Sequence, residues 1–311
     1  MIKEPTVFIL GAGASYPYGL PLAKDLRTQI CFEFELHIKK LIESREKDSW
    51  RREEMCEEVQ EFTNAFFKSS ERSIDVWLVK NPDFMRIGKQ AIVSIILNGE
   101  HNGGFREKAP YQGQDWYSYL WQRMTAEFTH RDDYKLFSEN HIDFITFNYD
   151  RSLEYFLFES LENAFYGISS KDVIEQLIKR KLIHVYGQIA PLDWQGLGNL
   201  PYGKDPGKVW PGRFVENLKI IYEAKDTAEV KEAHKLIDKA KRIFFLGFGY
   251  SKENLEILRI PEILVGNQMI YGTALGLTEK ERGDVESVFT KVSIRHFHTG
   301  LDCLGLLRQY L

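Results

Sequence analysis

The sequence predicts an α/β protein built on a six-stranded, doubly wound parallel sheet of Rossmann type. Two observations carry this. Six short apolar runs rich in β-branched and aromatic residues are mostly continuous rather than alternating, as strands buried on both faces of a parallel sheet must be. Helical patterns separate them, and strands alternating with helices build a parallel sheet by crossovers.

The first run, Val7–Leu10, passes directly into Gly11-Ala12-Gly13-Ala14-Ser15. That is how a buried strand enters a phosphate-holding turn: Gly11 and Gly13 lack a Cβ, so a pyrophosphate can approach the backbone ahead of a helix N-terminus. The third glycine of a dinucleotide fingerprint is absent, since position 16 is Tyr and the next glycine is Gly19. A tight strand-to-helix turn without ligand is the competing reading. MIKEPTVFILGAG reads as a first strand, not a signal peptide.

The second run, Phe144–Phe147, lies well over a hundred residues later, far more than a crossover helix needs. Residues 30–139 are therefore read as a mainly helical insertion, with 1–29 and 140–311 forming the Rossmann-like domain. Phe34, Ile38, Leu41 and Ile42 fall at helix spacing, Arg45–Glu61 reads as a solvated helix face, and the glycine-rich, polar Asn98–Gln114 reads as a mobile loop.

Strand two ends Thr146-Phe147-Asn148-Tyr149-Asp150. The Asn148 amide both donates and accepts, which suits a sugar hydroxyl or a positioned water. Asp150 is equally a helix N-cap or a site residue. The helix that follows shows Leu153, Phe156, Leu157 and Leu161 on one face, capped by Asp150 or Ser152.

Strand three, Leu182–Tyr186, ends His184-Val185-Tyr186-Gly187. Residues two apart in a strand project to one side, so His184 and Tyr186 are expected to face together. His184 alone among eight histidines ends a central strand before a flexible loop, the place for a general base. That loop, Gly187–Gly212, holds six glycines, four prolines, Trp194, Tyr202 and Trp210, and reads as a lid at the carboxyl end of the sheet.

A helix through Val230, Ala233, Ile237 and Ala240 leads to strand four, Ile243–Leu246, and a second glycine turn, Gly247-Phe248-Gly249-Tyr250-Ser251, where Ser251 can cap the next helix. Met269–Tyr271 and Val292–Phe297 are strands five and six.

The charge balance, 41 Lys and Arg against 45 Asp and Glu, argues against a protein that coats nucleic acid. No apolar stretch approaches a membrane span. The three cysteines, Cys31, Cys56 and Cys303, form no Cys-x-x-Cys pair, which argues against a zinc ribbon and suits a reducing cytoplasm.

The ordered set GAGAS (11–15), TFNYD (146–150), HVYG (184–187) and LGFGYS (246–251) resembles the sirtuin-like NAD-consuming domain, over the Rossmann part of the chain. The resemblance implies NAD as substrate, cleavage of the nicotinamide–ribose bond and no metal. The deacylase branch carries a four-cysteine zinc ribbon and a glutamine where Phe147 stands, so protein deacylation is the least favoured alternative. The bacterial antiphage-defence branch, which hydrolyses NAD outright and depletes the infected cell, is more similar. Asn148 and His184 are then the expected catalytic residues, and Gly11, Ala12, Gly13, Ala14, Ser15, Asp150, Tyr186, Gly187, Gly247, Gly249 and Ser251 the expected NAD-binding residues. In much of the family a histidine immediately precedes the glycine; here Tyr186 holds that place. The resemblance also implies an inactive resting state in a cytoplasmic homo-oligomer, released by assembly or by a partner such as an ATPase of the DNA-translocase type or a prokaryotic Argonaute. A catalytically silent NAD- or ADP-ribose-binding module is the alternative.

Overall fold

The computed structural model describes residues 1–103 and 115–311. Six strands form in the predicted runs: β1 (Thr6–Leu10), β2 (Ile142–Thr146), β3 (Leu182–His184), β4 (Arg242–Leu246), β5 (Met269–Thr273) and β6 (Ile294–His298). All neighbours are parallel, in the order β3-β2-β1-β4-β5-β6. The order in which strands are added reverses between β1 and β4, the switch point where open α/β sheets bind ligands. Leu10 pairs with both Thr146 and Leu246, and Thr146 with His184. The last residues of β3, β2, β1 and β4 are thus level, and the segments that follow them meet at one edge.

Every residue of β1 is buried, and Phe8 packs against Phe144 and Phe244, with ring centroids 5.6 and 5.1 Å away. This explains the continuous apolar runs: neither face of these central strands reaches water.

Between β1 and β2 the described residues form α1 (Ala12–Ser15), α2 (Ala23–Phe32), α3 (Phe34–Arg45), α4 (Ser49–Ser69), α5 (Ile74–Lys80), α6 (Met85–Asn102) and α7 (Trp116–Thr125). The predicted face Phe34, Ile38, Leu41 and Ile42 is buried on α3. The charged run lies on α3 and α4, where Val59, Phe62 and Phe66 turn inward. These apolar side chains are continuous with those of the sheet, forming one core. The expected loop at 98–114 is corrected at its start: residues 98–102 complete α6, because Gly99 packs on Leu20 and Glu100 pairs with a buried arginine. Residues 104–114 of that loop lie outside the described residues.

Then follow α8 (Ser152–Ala164) and α9 (Ser170–Leu177) after β2, α10 (Ala228–Lys239) before β4, α11 (Lys252–Ile257), α12 (Glu279–Val288) and α13 (Cys303–Tyr310). The predicted apolar face of α8 is buried. No described helix is long and apolar enough to cross a membrane.

Segment 187–212 does not behave as a free lid over the edge. Tyr202 stacks on Tyr155 of α8 at 4.3 Å and Trp194 on Phe158 at 5.5 Å. Arg151, fully buried, donates to the Leu200 carbonyl at 2.5 Å, and its guanidinium and backbone N–H are held by Glu100, which is equally buried. Glycines and prolines supplied a loop-like composition, but aromatic packing and this ion pair hold the segment against α8.

Candidate functional site at the carboxyl edge of the sheet

The two glycine turns close on each other across the switch point. The Gly11 N–H donates to the Leu246 carbonyl and the Gly13 N–H to that of Gly247, both at 3.0 Å, while the Ala14 N–H donates to Gly11 at 2.9 Å. A Cβ on Gly11 would lie 2.6 Å from the Gly247 oxygen, and one on Gly13 2.8 Å from the Gly247 Cα. The glycines are therefore required by turn-on-turn packing. Gly11, Gly13, Ala14 and Ser15 are expected to offer backbone donors to a pyrophosphate; for the first three this is corrected, because their N–H groups already have carbonyl partners. The half-buried Ala12 N–H has none among the described residues. From the other side, Trp116 Nε1 of α7 donates to the Ala14 carbonyl at 2.8 Å.

Asn148 stands just beyond β2, against this turn. Its Nδ2 donates to the Gly11 carbonyl and to Ser15 Oγ, each at 2.9 Å, and its Oδ1 has no partner among the described residues. Asp150 is buried beneath. Its carboxylate accepts from the Ser152 N–H at 3.0 Å and from the Ser152 hydroxyl, so it opens α8 through Ser152 while Arg151 holds the N-cap position. Burial pushes the Asp150 carboxyl up, and the hydrogen bonds from Ser152 and Ser15 offset only part of this.

His184 departs from its expected role. Nδ1 lies 2.9 Å from the Asn148 carbonyl oxygen and Nε2 2.5 Å from Glu154 Oε1 on α8. A carbonyl can only accept, so Nδ1 carries a proton, and the proton between Nε2 and Glu154 completes a buried imidazolium–carboxylate pair. Burial pushes the imidazole down, but the Glu154 charge and hydrogen bond, with the Asn148 carbonyl, outweigh it and hold the ring above its ordinary value. Both nitrogens are committed, so in this arrangement His184 positions the Asn148 backbone and is not a free general base.

The sign of this shift gives a testable pH dependence. A histidine with a raised folded-state pKa adds stability that is fully present below about pH 6.5 and is lost as pH rises through the folded value. Denaturant titrations of the protein and its His184→Gln variant are expected to differ most near pH 6 and to converge in the alkaline range; a difference growing with pH would refute the charged pair.

Tyr186 does not share a side with His184. The strand ends at His184 and the chain turns through Gly187, whose φ is +77°. A Cβ there would run into the Asn217 carbonyl, so the 214–219 segment, not a ligand, accounts for this glycine. Tyr186 instead reaches towards the β4 side and donates to Asn254 Oδ1 of α11 at 2.6 Å. Its ring lies 5.3 Å from Phe147, which lies 5.2 Å from Phe248. These three aromatics bridge the ends of β3, β2 and β4. Ser251 caps α11, as expected, accepting from the Asn254 N–H at 3.3 Å. At Gly249 an added Cβ would meet nothing within 4 Å.

Besides Glu154, a second carboxyl near the site escaped the sequence reading. Asp75, in the first turn of α5, accepts from the Tyr149 hydroxyl at 3.0 Å, and burial pushes it up to about 6. From sequence it is an ordinary acidic residue near a helix start, and nothing marks its tertiary partner.

Two cavities, of about 450 and 320 Å³, are lined by no residue of the four motifs, so neither opens at the switch point. Among the described residues no group of three or more His, Cys, Asp and Glu is placed to hold a metal. No known family model matches the chain, and no curated protein is significantly similar to it.

Proposed function

We propose that this chain binds NAD or ADP-ribose at the switch point between β1 and β4, and that its resting form does not hydrolyse the ligand. The observation that carries the second half is the double engagement of His184, with Tyr186 hydrogen-bonded to Asn254. Neither side chain of the HVYG motif is free to take a proton from a ribose hydroxyl or a water. Binding is supported by the position itself, by the unpartnered Ala12 N–H and Asn148 Oδ1, and by the space beside Gly249. In this reading Ala12 donates to a phosphate oxygen and Asn148 Oδ1 accepts from a ribose hydroxyl. Phe147, Tyr186 and Phe248 cover the edge and must part to admit a ribose.

A second reading, regulated hydrolysis to nicotinamide and ADP-ribose, is favoured by Asn148, which sits where it could hold the reacting ribose or a water. It requires releasing His184 from Glu154 or Tyr186 from Asn254, which self-assembly or a defence partner of the ATPase or Argonaute kind could drive. The purified chain with NAD is expected to show a raised melting temperature and no nicotinamide release, since a ligand preferring the folded state stabilises it. Release by the chain alone would overturn the resting-state reading, and no shift at all would overturn both.

A further inference from the structure

The 320 Å³ cavity lies apart from the nucleotide edge, between α8, α9 and the 187–212 segment. Its size is at the low end of small-molecule sites, roughly 300–1,000 Å³. Phe137, Phe144, Leu157, Leu177 and Trp194 form an apolar wall. Arg180 and Lys181 line it as well, and Arg180 Nε is buried with no hydrogen-bond partner. A buried unsatisfied donor is unfavourable until an acceptor reaches it. The one carboxylate in the lining, Glu154, is already held by His184, so the uncompensated charge is positive.

We propose that this cavity binds a small organic anion with an aromatic-sized apolar body, its acid group on Arg180, and that occupancy is transmitted to the nucleotide edge through Glu154. The route is a continuous set of hydrogen bonds. Glu154 holds His184 Nε2, His184 Nδ1 holds the Asn148 carbonyl, and the Asn148 amide holds Gly11 and Ser15. A ligand anion beside Glu154 changes the field at the imidazolium, and displacement of Glu154 frees a ring nitrogen. The functional meaning of this coupling rests on the nucleotide-binding reading above; the cavity does not.

The test uses the full chain and two fluorescent probes of similar body: anionic 8-anilinonaphthalene-1-sulfonate and neutral N-phenyl-1-naphthylamine. One equivalent of the anionic probe is expected to bind. Arg180→Gln weakens it about tenfold or more, as loss of a charge-assisted hydrogen bond does, and leaves the neutral probe within about twofold. Leu177→Trp, which fills the cavity, weakens both. An unchanged anionic affinity in Arg180→Gln, unchanged affinities in Leu177→Trp, or no stoichiometric binding overturns the site. Coupling is read without NAD, from the His184 imidazole NMR signals, which move when the anionic probe binds the wild type; unmoved signals overturn the transmission. A chain that passes these tests but does not bind NAD refutes the nucleotide reading alone.

Discussion

Replacing Glu100 by Ala destabilises the protein by about 3–5 kcal/mol, the usual loss when one partner of a buried ion pair is removed. Arg151 and Glu100 side chains are both fully shielded from water. Burial holds the Glu100 carboxyl up and the Arg151 charge pulls it back. Removing Glu100 leaves a guanidinium hydrogen-bonded only to carbonyls and lying over the Tyr202 ring, the shortest contact being Leu200 at 2.5 Å. It also unties α6 from the start of α8 and from the 187–212 segment. Urea unfolding measures the loss. The double variant Glu100→Leu/Arg151→Met is expected to recover much of it, because a well-packed apolar pair avoids the desolvation of two charges. A loss below about 1 kcal/mol in the single variant would show that the segment is held by its aromatic stacking alone.

Gly247→Ala has the other large effect, and it acts on stability and ligand binding together. Gly247 has φ +57°, a left-handed conformation that costs an L-residue about 1–2 kcal/mol. Its new Cβ would also collide with the Gly13 and Ala14 backbone, which cannot move without breaking the Gly13–Gly247 hydrogen bond. The expected loss therefore exceeds the conformational penalty, and NAD affinity falls with it as the turn is displaced. Gly249→Ala is the control. Its Cβ enters open space, so unfolding is unchanged, and any weakening of NAD binding reports a ligand close to that backbone. Equal urea midpoints for Gly247→Ala and wild type would refute the interlocked turns.

The strands were legible because their physics is local: a strand buried on both faces has few polar positions, and Val7–Leu10 or Ile243–Leu246 can be little else. The end of β3 was not. Val185 and Tyr186 continue the apolar run, but the chain turns there to place Gly187 against Asn217, a partner thirty positions away. The same distance hid the role of His184. Its place at a strand end is a sequence feature, whereas the Glu154 carboxylate that occupies Nε2 comes from α8, thirty positions earlier in the chain. The strand-to-turn passage at Gly11–Ser15 was legible, but not that the Gly11 and Gly13 donors are spent on Leu246 and Gly247, which only the assembled sheet brings near. Asp75 and Glu100 carry no local signal: Glu100 falls in the stretch read as a loop, and nothing in the sequence marks the buried partner of either.

The central claim, that NAD binds at the edge shared by β1, β2 and β4, is tested most directly by calorimetric titration of NAD into the wild type and Asn148→Ala. The wild type is expected to bind one equivalent. The variant, lacking the amide that holds Gly11 and Ser15 and the free Oδ1, is expected to bind about tenfold more weakly or not at all. No heat of binding from the wild type, or equal affinity in Asn148→Ala, would contradict the account.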